Sequence, residues 1–168
     1  MPFQLFKKSE AESEPAPQLV PPGGHVLREG PLLSNWYIVY RLDEEAERAR
    51  RYGRPLSVAV AAAPTMFVGD RLSPEALTAA IEAAQAAARS TDLLGWLAED
   101  SFLMVMPETP QVDAEAAVSR WRNEMWLRSR SLGGQKWHIA VLPSPIGFDS
   151  AEAFVEAIPD MLAQREAA

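Results

Sequence analysis

The chain has 168 residues, of which 48% are apolar, and it carries a formal net charge of −7 without a single cysteine. This length is enough for one domain with a sizeable core, and the missing cysteines exclude disulfides and thiolate metal sites. The acidic balance disfavours nucleic-acid binding, because such a surface repels phosphate backbones.

Membrane and metal classes are also disfavoured. No apolar run approaches the roughly 20 residues that a membrane-spanning helix needs, and two lysines follow the first apolar residues at once, which does not fit a signal peptide. The two histidines, His25 and His138, lie far apart, so a histidine-based zinc site is not expected. We therefore expect a cytoplasmic protein without a bound metal.

Residues 1–33 are predicted to be a disordered tail, and residues 34–168 to be the folded domain. The stretch KKSEAESEPAPQLVPPGG is rich in Pro, Glu, Ser and Gly and has little to bury. Residues 1–8 form a small amphipathic patch, which is a candidate for docking on a partner or a membrane surface. A mobile terminus is the favoured interpretation of this patch.

The first predicted helix runs from Trp36 to Tyr52. Apolar side chains recur in it at helical spacing, at Val39, Leu42, Ala46 and Ala49. Ser34 is a candidate N-cap, and Gly53 is predicted to end the helix because glycine readily takes the left-handed conformation that follows many helices.

A buried strand and a second helix follow. The short apolar run LSVAVAAA, residues 56–63, predicts the strand. Ser73 as N-cap and Pro74 at the first helical position predict the start of the helix. Its contact face is narrow and rich in alanine, and is predicted to contain Leu77, Ile81, Ala84 and Ala88.

The next stretch, LLGWLAEDSFLMVMPET, covers residues 93–109 and predicts a hairpin of two apolar strands. Its polar tip is Ala98–Ser101, which carries two carboxylates. A long helix is predicted over residues 111–130, and its inward side chains are Ala114, Val118, Trp121 and Met125.

The C-terminal part is predicted to contain a strand, KWHIAVLP, and a last helix. Asp149 and Ser150 are candidate caps for this helix. Pro159 must kink or split it, because proline removes a helical hydrogen bond. Its apolar positions are Phe154, Ile158 and Leu162.

These elements predict an α+β, ferredoxin-like fold. Without the first helix, the order is β-α-β-β-α-β, which is the split βαβ arrangement. The right-handed crossover rule places two helices on one face of a four-stranded antiparallel sheet. The leading helix is expected to pack at the edge, and the trailing helix is an addition to the core.

Two stretches of the sequence resemble the GGDEF, or diguanylate cyclase, domain. The first is RLDEEAERARRYGRPLSVAV, which is similar to the opening helix, turn and first strand of that family. The second is the hairpin, where the family has G-R-x-G-G-D-E-F and then P-E-T. The resemblance covers residues 35–165 and implies the same ferredoxin-like fold.

The hairpin tip departs from the family signature. The family's two glycines correspond to Ala98 and Glu99, Asp100 is retained, the next acid corresponds to Ser101, and Phe102 follows. In the family, the glycines let the backbone approach the GTP phosphates closely. Here Glu99 adds a negative charge at that place, so these residues are most simply interpreted as an exposed turn.

The metal-binding positions of the family are also changed. The family condenses two GTP molecules into cyclic di-GMP with two Mg²⁺ ions, which carboxylates hold. Its D-x-D-x-F-K segment at the end of the first strand corresponds here to Ala62, Ala63, Pro64, Thr65, Met66 and Phe67. The resemblance therefore implies an inactive domain with no catalytic residues, no metal site and no cofactor.

One binding motif of the family is present. Arg89-Ser90-Thr91-Asp92 has the R-x-x-D pattern, five residues before the tip, of the family's inhibitory site for cyclic di-GMP. An arginine fork can contact guanine O6 and N7 together, and an aspartate can accept from guanine N–H groups. The alternative is structural, since Arg89 suits a helix C-terminus and Asp92 suits a turn.

A candidate protein interface lies on the long helix, where Arg122, Trp126 and Arg130 recur at intervals of four residues. An exposed tryptophan flanked by arginines is a common anchor at interfaces, and it could also stack on a base. The alternative is packing of Trp126 against the leading helix or against Trp137.

Two hypotheses of function follow. The first is a nucleotide-sensing module that binds cyclic di-GMP and transmits its occupancy to another protein. The second is a nucleotide-independent scaffold or oligomerisation domain, for which a homodimer is one candidate form. A protein partner is common to both, and an active enzyme is a distant third.

Overall fold

The computed structural model describes residues 28–63, 73–132 and 136–166. Within these residues the strands are β1 Arg28–Glu29, β2 Leu32–Leu33, β3 Leu56–Ala62, β4 Leu93–Ala98, β5 Ser101–Pro107 and β6 His138–Val141. The helices are α1 Asn35–Tyr52, α2 Pro74–Ala87, α3 Gln111–Ser129, α4 Ala151–Glu156 and α5 Ile158–Glu166. Short 3-10 turns cover Arg130–Leu132 and Pro145–Gly147.

The described strands form one sheet in the order β1-β2-β4-β5-β3-β6. Its last four strands pair antiparallel in the arrangement of a ferredoxin-like sheet, as the sequence predicts. The central strand β3 pairs along its whole length with β5, from Leu56 opposite Pro107 to Ala62 opposite Ser101. The two crossover helices α2 and α3 lie on one face, which is also as predicted.

The prediction that the leading helix packs at the edge of the sheet is wrong. Helix α1 covers the second face, together with α4 and α5, and buries Ile38 and Leu42 there. Every residue of β3 is buried, as is every residue of β5 from Ser101 to Met106. Such continuous burial is typical of a sheet that is covered on both sides, and the unbroken apolar runs of both strands already contained that signal.

Helix α1 begins one residue before the predicted Trp36 and ends at Tyr52 as predicted; Ser34 stands at the N-cap position without a side-chain cap hydrogen bond. Gly53 follows the helix with a φ of 63°, and the Gly53 N–H donates to the carbonyl of Ala49. Helix α2 also has the predicted start, since the Ser73 hydroxyl accepts from the Ala76 N–H at 3.1 Å.

The inward face of α2 is rotated relative to the prediction. Its buried stripe consists of small side chains, namely Ala76, Ala79, Ala80, Ala83, Ala84 and Ala87. Leu77, Ile81 and Ala88 are only partly buried, beside that stripe. The alanines let α2 lie close to α3, whose predicted inward residues, with Trp121 the largest, are all buried.

The prediction of a tail through residue 33 places the boundary too late. Residues 28–33, which we call the N-terminal arm, form a small hairpin of β1 and β2 at the edge of the sheet. Strand β2 pairs parallel with β4 at Leu33 and Gly95. Leu32 is fully buried and Leu33 nearly so, which two apolar residues in a Pro- and Gly-rich stretch did not indicate. The part of the predicted tail before Arg28, including residues 1–8, lies outside the described residues.

The C-terminal helix is split, as Pro159 predicts, into α4 and α5. The Ser150 hydroxyl caps α4 by accepting from the Ala153 N–H at 3.2 Å. Asp43 of α1 accepts from the Ala151 N–H at 3.3 Å, which ties α4 to α1 on this face of the sheet. No helix in the described part of the chain is long and apolar enough to span a bilayer.

Helix α1 and strand β4 approach each other closely at Gly95. A Cβ atom added to Gly95 would lie 2.4 Å from the Cβ of Ile38, which is closer than real Cβ contacts come. The Asn35 amide donates to the carbonyls of Trp96 and Leu97, at 3.3 and 2.8 Å, and fixes the start of α1 against the same strand. A glycine is therefore required at position 95 by close approach.

We predict that Gly95→Ala lowers the free energy of unfolding by about 1–3 kcal/mol, because overpacking forces α1 away from the sheet. Urea denaturation followed by circular dichroism measures this change. The matched control is Gly147→Ala, whose added Cβ meets nothing within 4 Å. Its effect should stay within about 0.5 kcal/mol. Equal unfolding midpoints for both variants would contradict the close-approach argument.

Candidate functional site

The hairpin tip and the end of β3 meet in space. Ala62 pairs with Ser101 across the ladder, and the Ala63 N–H donates to the Asp100 carbonyl at 2.9 Å. These are the two places at which the family resemblance puts metal-binding carboxylates. Here Ala62 and Ala63 contribute only buried methyl groups, and Pro64–Phe67 lie outside the described residues.

The tip itself is a two-residue turn between β4 and β5. Ala98 and Glu99 are exposed, Asp100 is partly exposed, and Ser101 is fully buried. Among the described residues of this junction, the side-chain oxygen ligands belong to Glu99, Asp100 and Ser101. The described residues contain no group of three or more His, Asp or Glu side chains placed to hold a metal ion.

Behind the tip, three aromatic side chains form a row on the α2–α3 face. Trp96 meets Phe102 edge-on, with ring centroids 5.0 Å apart, and Phe102 stacks on Trp137 at 5.5 Å. Phe102 is therefore a core residue. The Trp96 indole N–H also donates to the Glu29 carbonyl at 3.2 Å. Trp96 stands where the resemblance places the arginine of G-R-x-G-G, and it contacts the N-terminal arm through this hydrogen bond.

The Arg89–Asp92 corner joins the end of α2 to the start of β4. The Asp92 carboxylate accepts from the Arg89 backbone N–H at 2.7 Å, and the Asp92 N–H donates to the Arg89 carbonyl at 3.1 Å. This is the structural role that the sequence left as the alternative. It leaves the second carboxylate oxygen, Oδ1, buried and without a hydrogen-bond partner in the described part of the chain.

An open groove of about 310 Å³ lies beside this corner. Its lining includes Arg89 and Asp92 of the corner and Pro31 and Leu33 of the N-terminal arm. The groove is therefore built from two segments that are more than 50 residues apart in the sequence. Neither segment alone indicates it.

The charges around Asp92 act in opposite directions. Burial raises the pKa of the Asp92 carboxyl above its usual range, while the Arg89 backbone N–H and the positive charges of Arg89 and Arg120 oppose that rise. Arg120 lies on α3 and is exposed. Its position in the sequence does not indicate this role, because only the packing of α3 beside α2 brings it near the corner. The arrangement can bind a ligand that presents both N–H donors and negative charge.

The candidate interface on α3 divides into two parts. Arg122 donates to the Ile139 carbonyl through Nε and Nη2, at 3.0 and 2.5 Å, and so ties α3 to β6. Trp126 is 61% exposed, and the Arg130 guanidinium lies 5.5 Å from the centre of its ring. Trp137, which was the alternative partner expected for Trp126, stacks on Phe102. Trp126 and Arg130 thus form the exposed part of this surface, whereas Arg122 is engaged within the fold.

A second groove, of about 390 Å³, lies between α1 and the start of β3. Buried Glu45 pairs there with Arg41 and Arg48, at 3.5 and 2.9 Å, and Arg54 pairs with Glu108. Arg41, Glu45 and Arg48 are four and three residues apart on one helix, and this spacing could have indicated their contacts. Because the guanidinium groups face carboxylates, the groove offers little net charge to a ligand.

Neither a protein-family model nor a curated protein sequence matches this chain. Its structure is nevertheless similar to solved GGDEF domains. The GGDEF domain of PA1120 (YfiN or TpbB) from Pseudomonas aeruginosa is 20% identical, with a TM-score of 0.66, over 82% of this chain and 92% of that chain.

Two further similar structures were solved as complexes. The GGDEF domain of DgcB from Caulobacter crescentus, in complex with c-di-GMP, is 15% identical, with a TM-score of 0.63, over 88% of this chain and 94% of that chain. Diguanylate cyclase SiaD from Pseudomonas aeruginosa, in complex with its activator SiaC, is 21% identical, with a TM-score of 0.66, over 81% of this chain. The match spans 55% of the SiaD chain. At these identities the likeness shows the fold, and the GGDEF-like fold expected from the sequence is confirmed.

We predict that the Asp92 carboxyl titrates above its ordinary value of 3.8, which carbon-detected NMR measures directly. A raised folded-state pKa means that the folded chain holds this proton more tightly than the unfolded chain does. Its contribution to stability is then greatest below the unfolded pKa and is lost as pH rises through the folded pKa.

The variant Asp92→Asn keeps an oxygen acceptor for the Arg89 N–H but cannot ionise. Its free energy of unfolding, relative to wild type, should therefore increase as pH rises through the Asp92 titration. A relative stability that is constant or falls over that range would contradict the argument from burial.

Proposed function

We propose that this chain is a catalytically inactive GGDEF-like module that binds cyclic di-GMP at the Arg89–Asp92 corner and passes the bound state to another protein. The observation that carries the proposal is the state of Asp92. Its carboxylate is partly buried beside an open groove, near the charges of Arg89 and Arg120, with one oxygen left without a partner in the described residues.

The chemistry of guanine suits this corner. The Arg89 guanidinium can donate to O6 and N7 of a guanine, and Asp92 can accept from the N–H groups on the adjacent edge. Arg120 adds a second positive charge for the phosphates of the ligand, which guanidinium groups bind well. A cyclic dinucleotide of two guanines supplies both kinds of contact.

The similar structures support both parts of the proposal. The DgcB domain is in complex with c-di-GMP, and SiaD is in complex with an activator protein. A fold that accepts both kinds of partner elsewhere is a reasonable scaffold for a receptor that acts through a second protein.

Loss of cyclase activity is proposed from the junction of the tip with β3. Phosphoryl transfer by this fold would rely on metal ions that neutralise the phosphates. At the junction Ala62 and Ala63 carry no ligand atoms in their side chains, and Ser101 is a buried hydroxyl where the resemblance places an acid. Glu99 is exposed at the tip, where it would repel a triphosphate.

A second candidate function is a nucleotide-independent oligomerisation domain. It is favoured by the exposed Trp126, whose ring is flanked by Arg130. A large aromatic side chain in water is costly unless a partner covers it, and tryptophan and arginine are common interface anchors. This function uses the α3 surface and makes no demand on Asp92.

We predict that calorimetric titration with cyclic di-GMP detects binding in the micromolar range, and that Arg89→Ala weakens it tenfold or more, about 1.4 kcal/mol. The reason is the loss of the fork that contacts guanine. The matched control is Arg51→Ala, which removes an exposed arginine from the last turn of α1, away from the groove.

Two results would count against the receptor. One is wild-type protein that gives no heat at high ligand concentration, and the other is equal weakening by both arginine variants. Incubation of the same protein with GTP and Mg²⁺, followed by chromatography, should yield no cyclic di-GMP. Product formation would overturn the proposed inactivity.

For the oligomerisation function, we predict that sedimentation velocity shows concentration-dependent dimers. Trp126→Ala should weaken the dimer by about 2 kcal/mol, as expected for an interface anchor. Val112→Ala removes another exposed apolar side chain, at the opposite end of α3, and should leave the dimer unchanged. If the wild-type chain stays monomeric at high concentration, the α3 surface does not form a homodimer.

A further inference from the structure

The N-terminal arm, residues 28–33, takes part in two grooves. On one side, Pro31 and Leu33 line the groove that contains Arg89 and Asp92. On the other side, Glu29 lines a groove of about 380 Å³ beside the hairpin tip, with Trp96 and Glu99. The arm therefore lies between the proposed ligand corner and the tip.

Two short strand ladders and two buried leucines, Leu32 and Leu33, hold the arm in place. Its own ladder has two register pairs, and a single pair, between Leu33 and Gly95, joins it to β4. The buried Leu32 side chain and the hydrogen bond from Trp96 to the Glu29 carbonyl add to these. Because its strands are only two residues long, the arm is expected to open at a lower free energy than the core of the sheet does.

We infer that the N-terminal arm is a wall of the cyclic di-GMP site and that ligand and arm stabilise one another; this inference rests on the proposed function. A ligand seated between Arg89 and Pro31 contacts the arm in its docked position only. It therefore binds more tightly when the arm is docked, and by linkage it holds the arm down when bound.

The position of the arm in the chain gives this coupling a direction. Residues before Arg28 continue directly from β1, and Ser34 and α1 follow β2 at once. A change in the docking of the arm is thus passed to the N-terminal segment of the chain.

The test compares two leucine truncations. Leu32→Ala removes a fully buried side chain from the arm, and Leu162→Ala makes the same chemical change at an equally buried position on α5, away from the groove. Calorimetry with cyclic di-GMP should show a dissociation constant raised about tenfold by Leu32→Ala, a factor within the usual range of allosteric coupling. Leu162→Ala should bind as wild type does.

A milder variant guards against misfolding of Leu32→Ala. Trp96→Phe keeps a ring against Phe102 but removes the indole donor to Glu29. It should raise the dissociation constant about threefold, in line with the loss of one hydrogen bond to the arm. Hydrogen exchange supplies a direct readout, since wild-type amides of residues 28–33 should exchange more slowly when cyclic di-GMP is bound.

The outcomes separate the inference from the function beneath it. Suppose wild type binds and Arg89→Ala does not, but Leu32→Ala and Trp96→Phe bind normally and arm exchange is unchanged by ligand. The arm is then no part of the site, and the receptor stands. If wild type shows no binding, the receptor fails and the inference with it.

Discussion

The close contact of α1 with β4 is the constraint on which the rest of the structure depends. Ile38 lies where only a glycine, Gly95, leaves room for it, and Asn35 bonds to the next carbonyls of the strand. Through this contact α1 covers the second face of the sheet, while α2 and α3 cover the first. It also sets the entry of the chain, because the arm that precedes α1 must then run along the outer edge of β4.

The two candidate binding regions follow from that placement. The ladder of β3 with β5 brings the hairpin tip to the end of β3, and the residues found there are two alanines, a serine, the exposed Glu99 and the partly exposed Asp100. The arm at the edge of β4 closes a groove against the corner that follows α2. The junction of the tip with β3 thus has few oxygen ligands. The Arg89–Asp92 corner has charged groups, and the arm adds lining residues to its groove.

Local signals were sufficient for most of the fold. Gly53 ends α1, Ser73 begins α2 and Pro159 splits the last helix, because each acts through its own backbone or its immediate neighbours. Other features were missed because they depend on distant contacts. The burial of Leu32 and the approach of Arg120 to Asp92 come from packing between segments that the sequence does not pair. The role of Arg122, which bonds to a carbonyl of β6, was missed for the same reason.

The arm also protects the sheet. Strand β4 reads LLGWLA, without a charged side chain, and the arm covers part of its outer edge. A bare, apolar edge strand is a template on which other chains can add a strand, and natural proteins cover such edges. A form of the chain shortened to begin at Ser34 would expose that edge. The arm thus protects an edge on which chains could aggregate, and cleavage between it and α1 would lower the solubility of the domain.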